Sequence, residues 1–402
     1  MLNSPIGYQS SIVYSIGAEQ NSLNLILLER IKEYFNGEGS ISKSGNMYIY
    51  ETRGMKKTFS TSSGFTHLLR PNKKFVPGIR YFSSSNSSLV KPIVLSLDEN
   101  MGNLNPNWIS GFSDAEASFI VTISKNSNLK SGWTVIPSFQ IGLDAKDIRI
   151  LENIQKFFGV GVINKRLSSN LVSYSVTKNH DLLKVIIPHF EKYSLISQKN
   201  ADFYLFKSVV ILCSQKEHLN KAGLNKIVAI RASMNRGLTD ILKKEFPNIV
   251  PVNRPIMAKP DYLEPNGVSG FISGEGCFYI SVYKSKTKLG YATALMFSVS
   301  QHMRDIQLIE SLVTFFNCGQ IKKDPRDLNS GVYINVTDFS NILKKVLPFF
   351  AQYPILGNKY LDYQSFVQVA KIIEEKGHLT QQGLDRINQI KSSMNSSRLN
   401  DK

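Results

Sequence analysis

An internal repeat is the feature of this sequence that most limits its possible folds. Gly111–Phe119 reads GFSDAEASF and Gly270–Phe278 reads GFISGEGCF, at an offset of 270 − 111 = 159 residues. Later segments keep the pairing, since residues 147–163 match residues 305–321 and residues 216–235 match residues 376–395. A match of this extent predicts one domain of about 130 residues that has been duplicated within the chain.

The repeats also set the domain boundaries that we predict. Residues 105–246 form repeat 1, residues 266–397 form repeat 2, and the proline-rich stretch 247–265 is a linker, because its prolines exclude regular helix. Residues 1–104 form an N-terminal extension, in which 27–51 resembles 149–176 and 55–85 has the composition of either a transit peptide or a flexible basic linker. Because a single fragment of a repeat cannot close a core, we expect this extension to be poorly ordered or peripherally docked.

Charge and cysteine content narrow the classes of partner and compartment. The 402 residues include 48 Lys and Arg against 31 Asp and Glu, a formal net charge of +17. This excess favours a polyanionic partner, nucleic acid first and an anionic membrane surface second. The three cysteines show no metal-binding or disulfide spacing, and no apolar run approaches the roughly 20 residues of a membrane span. We therefore expect a soluble protein from a reducing compartment, without membrane insertion.

Each repeat has the pattern of an α+β unit. Pro106 suits the first turn of a helix, and the apolar residues that follow it recur at helical spacing. The stretch 117–124 then alternates, with Phe119, Val121 and Ile123 on one face and polar residues on the other, as in a half-buried strand. The complete pattern predicts helix, hairpin, helix, hairpin and helix in each repeat.

The repeated nonapeptide also carries the chemistry. Gly111 and Gly270 fall inside predicted helices, where glycine costs about 1 kcal/mol relative to alanine. Together with Ser110 and Ser269 they would let two helices approach closely. If the repeats pack through these helices, a pseudo-twofold axis runs between them. Each helix then ends near that axis with an acid at the same repeat position, Glu116 in one repeat and Glu275 in the other.

Two carboxylates at adjoining helix C-termini repel each other and the helix dipoles. Divalent cations relieve both effects, and ligands that are all oxygen atoms favour Mg²⁺. Carboxylates that share metal ions suit in-line displacement at phosphorus. The pattern of Glu116 and Glu275 therefore favours phosphodiester chemistry.

The stretches WISGFSDAEASF (108–119) and GVSGFISGEGCF (267–278) resemble the two motifs of the single-chain, intron-encoded LAGLIDADG homing endonucleases, a fungal-mitochondrial type. The resemblance covers about residues 105–397 and implies two pseudo-twofold-related αββαββα halves. Each half would present a four-stranded antiparallel sheet, the two together forming a saddle on double-stranded DNA. It further implies a monomeric, mitochondrial enzyme that makes a staggered double-strand break with Mg²⁺, for which Mn²⁺ can substitute.

The same resemblance implies roles for individual residues. Glu116 and Glu275 would be the catalytic metal ligands, joined by the backbone at Ala115 and Gly274. Further catalytic positions would fall on Gln301 in repeat 2 and on Lys178 in repeat 1. The other repeat departs from the family pattern at both places, with Leu143 and Asp338. The motif's last residue is Gly276 in repeat 2 but Ala117 in repeat 1, where a positive φ would be strained.

Strand parity and basic hairpins predict the DNA-contacting side chains. Base edges would be read from the outward face and phosphates held by basic residues. In repeat 1 the predicted contacts are Ser118, Ile120, Thr122, Ser124, Asn126, Ser138, Gln140, Lys165 and Arg166. In repeat 2 they are Cys277, Tyr279, Ser281, Tyr283, Lys284, Lys286, Lys322 and Lys323. The same fold would also serve an RNA maturase that binds group I intron RNA, or a DNA-binding relic without activity, and both alternatives stay open at this point.

Overall fold

The computed structural model describes residues 13–19, 40–44, 47–53, 104–165, 170–323 and 331–394. Within the unit Met1–Ser88, three antiparallel strands form a sheet in the order β1-β3-β2. They are β1 (Val13–Glu19), β2 (Ser40–Ser44) and β3 (Met47–Arg53). The β2–β3 hairpin occupies the end of the stretch whose sequence resembles 149–176. The predictions for residues 20–39 and 54–103 lie outside the described residues.

Repeat 1 is an α+β unit whose four strands form an antiparallel sheet in the order β4-β5-β7-β6. Helical turns at Asn179–Asp181 and Leu182–Ile186 lead directly into its third helix. In chain order its elements are α1 (Pro106–Glu116), β4 (Ala117–Lys125), β5 (Trp133–Asp144), α2 (Ile148–Phe158), β6 (Val162–Lys165), β7 (Leu171–Val176), α3 (Ile187–Lys192), α4 (Lys199–Ser214), α5 (Lys221–Ala232) and α6 (Asp240–Glu245).

Repeat 2 has the same topology, with the sheet order β8-β9-β11-β10. Its helical turns at Phe339–Asn341 and Ile342–Val346 again precede the third helix. In chain order its elements are α7 (Pro265–Glu275), β8 (Gly276–Lys284), β9 (Tyr291–His302), α8 (Ile306–Phe316), β10 (Gln320–Lys323), β11 (Gly331–Val336), α9 (Leu347–Gln352), α10 (Lys359–Glu374) and α11 (Gln381–Ser392). The predicted fold class of two αββαββα halves is therefore confirmed.

Local sequence explains where the motif helices begin and end. The Asn105 side chain accepts from the backbone N–H of Asn107 at 2.8 Å and Glu264 accepts from Gly267 at 2.8 Å, so each helix starts with a cap followed by proline. Each helix then passes directly into an alternating strand. The acid of the motif is consequently the last residue of the motif helix in each repeat, Glu116 in α1 and Glu275 in α7.

Two aromatic cores fill the space between the sheets and their helices. Phe119 and Phe139 are buried side by side in repeat 1, as are Phe278 and Phe297 in repeat 2. The core of repeat 1 also includes a residue from repeat 2, Leu356, so the two repeats are in apolar contact. Among the described residues, no helix is long and apolar enough to cross a membrane.

The linker carries no helix or strand between residues 246 and 264. Its Arg254 forms two hydrogen bonds with the buried carboxylate of Asp202 on α4, at 2.6 and 2.8 Å. Bidentate arginine–carboxylate pairs of this kind have a fixed geometry. The linker is thereby held along repeat 1 before it enters α7.

Candidate active site between the motif helices

Helices α1 and α7 pack so closely that glycine is required at two reciprocal positions. A Cβ atom placed on Gly111 would lie 1.9 Å from the carbonyl oxygen of Gly267. One placed on Gly270 would lie 2.1 Å from that of Trp108. Gly267 and Trp108 are themselves equivalent, since 267 − 108 = 159. The contact is therefore the same in both directions, as a pseudo-twofold axis between the helices requires.

The C-terminal ends of the two helices also meet. A Cβ atom on Gly274 would lie 2.4 Å from the Cβ of Ala115 and 3.0 Å from Oε1 of Glu116. Burial raises the pKa of the Glu116 carboxyl, and the charge of Glu275 raises it further. Burial likewise raises the pKa of Glu275. The structure thus brings together the two acids that the sequence singles out.

Two half-buried lysines that the sequence analysis did not select accompany the acids. Lys199 donates from Nζ to the carbonyl oxygen of Ala115 at 3.1 Å, and Lys359 donates to that of Gly274. Burial lowers the pKa of both ammonium groups, and both motif acids oppose that change. The sequence contains a signal for these lysines, because they recur at the repeat offset: 359 − 199 = 160, as for residues 216–235 and 376–395.

The two halves of the site differ at one predicted position. Gln301 on β9 donates a side-chain hydrogen bond to Glu275, which lowers the pKa of that carboxyl against the effect of burial. Leu143 on β5 has the same place, because it pairs with Val172 as Gln301 pairs with Val332. Leu143 packs against the core of repeat 1. The site therefore has two acids and two lysines but a single glutamine at these equivalent positions.

Lys178 and Asp338 lie at the helical turns that follow β7 and β11. Lys178 is exposed at the start of its turn. Its counterpart Asp338 caps the equivalent turn by accepting from the N–H of Asn341 at 2.8 Å. Ala117 and Gly276 have φ values of −84° and −71°. The positive φ considered for these residues is thus absent, because each is already the first residue of a strand.

A divalent cation fits this donor set in part. Among the described residues, no three Asp, Glu, His or Cys side chains cluster as a complete metal site. Glu116 and Glu275 supply two adjoining carboxylates. Burial and nearby negative charge raise the pKa of both groups, which means that the ionised forms are destabilised. A bound hard cation would stabilise the ionised forms. The carbonyls of Ala115 and Gly274, predicted as further ligands, accept from lysines. The remaining oxygen ligands would have to come from substrate or water.

The predicted DNA-contacting residues alternate with the core as expected from their parity. Cross-strand pairs place Ser118 opposite Gln140 and Ile120 opposite Ser138. Several predicted contacts are exposed: Ser118, Thr122, Ser124, Lys165, Cys277, Tyr279, Tyr283, Lys284, Lys286, Lys322 and Lys323. The half-buried ones are Ile120, Asn126, Ser138, Gln140 and Ser281. Arg166 lies outside the described residues.

Two details of this face differ from the prediction or extend it. The Asn126 side chain is occupied within its hairpin, donating to the Thr134 hydroxyl at 2.9 Å and accepting from the N–H of Asn128. Ser175 lies opposite Gln140 on the next strand and extends the polar row beyond the first hairpin. Sequence parity alone did not include it, because the register between β5 and β7 depends on the whole sheet.

The family model described as LAGLIDADG endonuclease matches this chain twice, over residues 109–210 and 268–370. The chain belongs to the LAGLIDADG endonuclease family. Both matched ranges contain most of a motif helix, its acid and the lysine that donates to the end of that helix. The resemblance seen in the two motifs is thereby confirmed.

Two curated relatives of this chain are named as probable intron-encoded endonucleases of the fungus Neurospora crassa. Probable intron-encoded endonuclease 3 of Neurospora crassa is 38% identical over 338 residues, covering 83% of this chain and 60% of the relative. Probable intron-encoded endonuclease 2 of the same organism is 43% identical over 302 residues, covering 72% and 65%. The chain therefore spans less than two thirds of the length of either relative.

Solved LAGLIDADG structures match both repeats. I-SmaMI bound to cleaved DNA is 43% identical with a TM-score of 0.72, covering 74% of this chain and 99% of its own. I-LtrWI bound to target DNA is 41% identical with a TM-score of 0.70, covering 73% and 98%. I-SmaMI has also been solved with uncleaved DNA in the presence of calcium ions, and as a variant with two lysines replaced by alanine.

Proposed function

We propose that this protein is a site-specific homing endonuclease, acting as a monomer on a long double-stranded DNA site. It would cut both strands with a stagger, using Mg²⁺, in the mitochondrion where an intron-borne gene of this type would be expressed. One observation carries the proposal: Glu116 and Glu275 meet at the ends of reciprocally packed helices, each beside a half-buried lysine. The DNA-bound relatives and the fungal intron origin of others support it.

Different side chains of the site would have different roles at each scissile phosphate. Glu116 and Glu275 would hold the divalent ions, which when bound would neutralise phosphate charge and favour ionisation of water. Lys199 and Lys359, with lowered pKa values, would stabilise developing negative charge and exchange protons with solvent beside the phosphate. Gln301 would orient Glu275 through its hydrogen bond. The glycine contact would keep the two halves at a fixed separation.

The outward strand faces would supply the recognition. Polar and aromatic side chains alternate with core residues on β4 and β8, at the spacing of a surface laid along a groove. Exposed lysines at the second hairpins, Lys165 in one repeat and Lys322 and Lys323 in the other, would contact phosphates. The relatives bound to DNA support assigning the partner as double-stranded DNA.

The test of the proposal is a cleavage map. The full chain would be incubated with intronless organellar DNA in Mg²⁺ or in Ca²⁺, and the resulting ends sequenced. We expect one discrete double-strand break in Mg²⁺ and binding without cleavage in Ca²⁺. Specific binding with no cut in Mg²⁺ or Mn²⁺ would overturn the nuclease proposal, and would favour a maturase that binds group I intron RNA.

Replacing Lys199 or Lys359 with methionine should slow cleavage about a hundredfold, with DNA affinity nearly unchanged. Methionine keeps much of the apolar part of the lysine side chain but removes the charge beside the acids. Single-turnover rates and binding titrations in Ca²⁺ would separate the two effects. The matched control is Lys178→Met, because Lys178 is an exposed lysine of repeat 1. An equal loss of cleavage in the control would contradict the assignment of Lys199 and Lys359.

A further inference from the structure

Each lysine of the site directly follows a residue whose backbone N–H is bonded to the opposite repeat. Lys199 is the first residue of α4, and the backbone N–H of Gln198 donates to Oδ1 of Asp305 at 2.6 Å. Lys359 is the first residue of α10, and the N–H of Asn358 donates to Oδ1 of Asp147 at 2.7 Å. Neither α4 nor α10 has a side-chain cap from its own N-cap residue. The carboxylate of the opposite repeat instead binds the N–H of the residue just before each helix, and at α4 the Ser197 hydroxyl also accepts from the N–H of Lys199 at 3.0 Å.

The position of these aspartates in their own helices makes the arrangement unusual. Asp147 and Asp305 are the N-cap residues of α2 and α8, a place where aspartate normally bonds to its own helix. Neither does so. Asp305 is buried, and its Oδ2 also contacts Nε of Arg304 at 3.3 Å. Local helix capping therefore does not account for either carboxylate.

We propose that Asp147 and Asp305 are reciprocal positioning residues of the nuclease site, each fixing the lysine of the opposite repeat. The lysine Nζ atoms reach the carbonyls of Ala115 and Gly274 only while the start of each helix stays in place. Because each of these hydrogen bonds joins one repeat to the other, both lysines are held in position only when the two repeats are docked. This inference rests on the proposed nuclease function but concerns residues outside the acids and lysines.

Further hydrogen bonds fix the loop before each lysine. Before Lys199, the Asp114 carboxylate accepts from the N–H groups of Ile196 and Ser197 at 2.6 and 2.9 Å. Before Lys359, the N–H of Leu356 donates to the Ser273 hydroxyl at 3.2 Å, and the Asn358 side chain donates to the carbonyl oxygen of Lys146 at 2.9 Å. Each aspartate is therefore one member of a set of hydrogen bonds, and its loss should slow cleavage without abolishing it.

The test measures cleavage of each strand separately in Asp147→Ala and Asp305→Ala. We expect each variant to slow mainly one strand, about ten- to a hundredfold, and the two variants to affect opposite strands. Affinity for DNA should stay within about twofold, since neither aspartate lies on the strand faces. Asp147→Asn and Asp305→Asn should recover most of the rate, because the amide oxygen still accepts from the N–H. The control is Asn220→Ala, which removes a 2.8 Å cap from α5 and should leave the strand ratio unchanged.

A second readout does not depend on cleavage. Lysine acetylation followed by peptide mass spectrometry should show higher labelling of Lys359 in Asp147→Ala and of Lys199 in Asp305→Ala. Equal slowing of both strands, no recovery with asparagine, or labelling that rises at both lysines in either variant would overturn the positioning role. If the unchanged protein cuts neither strand, the proposed function fails and the labelling pattern alone decides the positioning role.

Discussion

Glu116→Gln and Glu275→Gln should each abolish double-strand cleavage while leaving DNA affinity near that of the unchanged protein. Glutamine has almost the same shape as glutamate but lacks the charge that would hold a divalent ion between the motif helices. Losing one half of a paired site should lower the rate of cutting by about a hundredfold or more. Binding, by contrast, depends on the strand faces and the exposed lysines rather than on the acids.

The same substitutions should not weaken the fold, and this separates lost chemistry from lost structure. Burial raises the pKa of both carboxyls, and the charge of Glu275 adds to that effect at Glu116. Removing one charge relieves that cost, so the melting temperature should stay the same or rise. Cleavage in Mg²⁺, binding in Ca²⁺ and thermal melts would be measured together, with the exposed Glu152→Gln as the control. Undiminished cleavage in both motif variants would remove these acids from the site.

The features that the sequence predicted well depend on local periodicity and on the repeat. Glycine inside a helix is unfavourable on its own, so its recurrence as Gly111 and Gly270 predicted close helix packing, and the structure shows that contact from both sides. Strand alternation after Glu116 and Glu275 predicted which side chains face the core. Both inferences need only neighbours in the chain and one repeat offset.

The features that the sequence analysis missed depend on tertiary packing. Lys199 follows Glu116 by 199 − 116 = 83 residues and reaches it only after two hairpins and two helical segments have folded. The resemblance pointed instead to Lys178, which the structure leaves exposed. Asp147 and Asp305 directly precede α2 and α8, and only the docked repeats show that each bonds across the boundary. Such contacts join residues that are far apart in the chain, so they leave no periodic pattern in the sequence.

Gly111→Ala and Gly270→Ala should be the most destabilising small substitutions in the motif helices. Alanine in a helix normally stabilises by about 1 kcal/mol relative to glycine. Here the added methyl would lie 1.9 Å from one backbone carbonyl oxygen, or 2.1 Å from the other, so whole helices would have to separate. Because backbone atoms cannot rotate away, we expect a loss on the order of 3–5 kcal/mol in the free energy of unfolding.

Gly267→Ala is the control that makes this prediction sharp, because it lies on the same helix as Gly270. Its added methyl would lie 3.6 Å from the carbonyl oxygen of Asn107, an ordinary van der Waals contact. Denaturant titrations should therefore show Gly267→Ala as stable as the unchanged protein or slightly more so, and the other two variants as much less stable. If all three behaved alike, the close approach of α1 and α7 would not be what requires glycine. The acids at the ends of these helices would then need another explanation for their fixed separation.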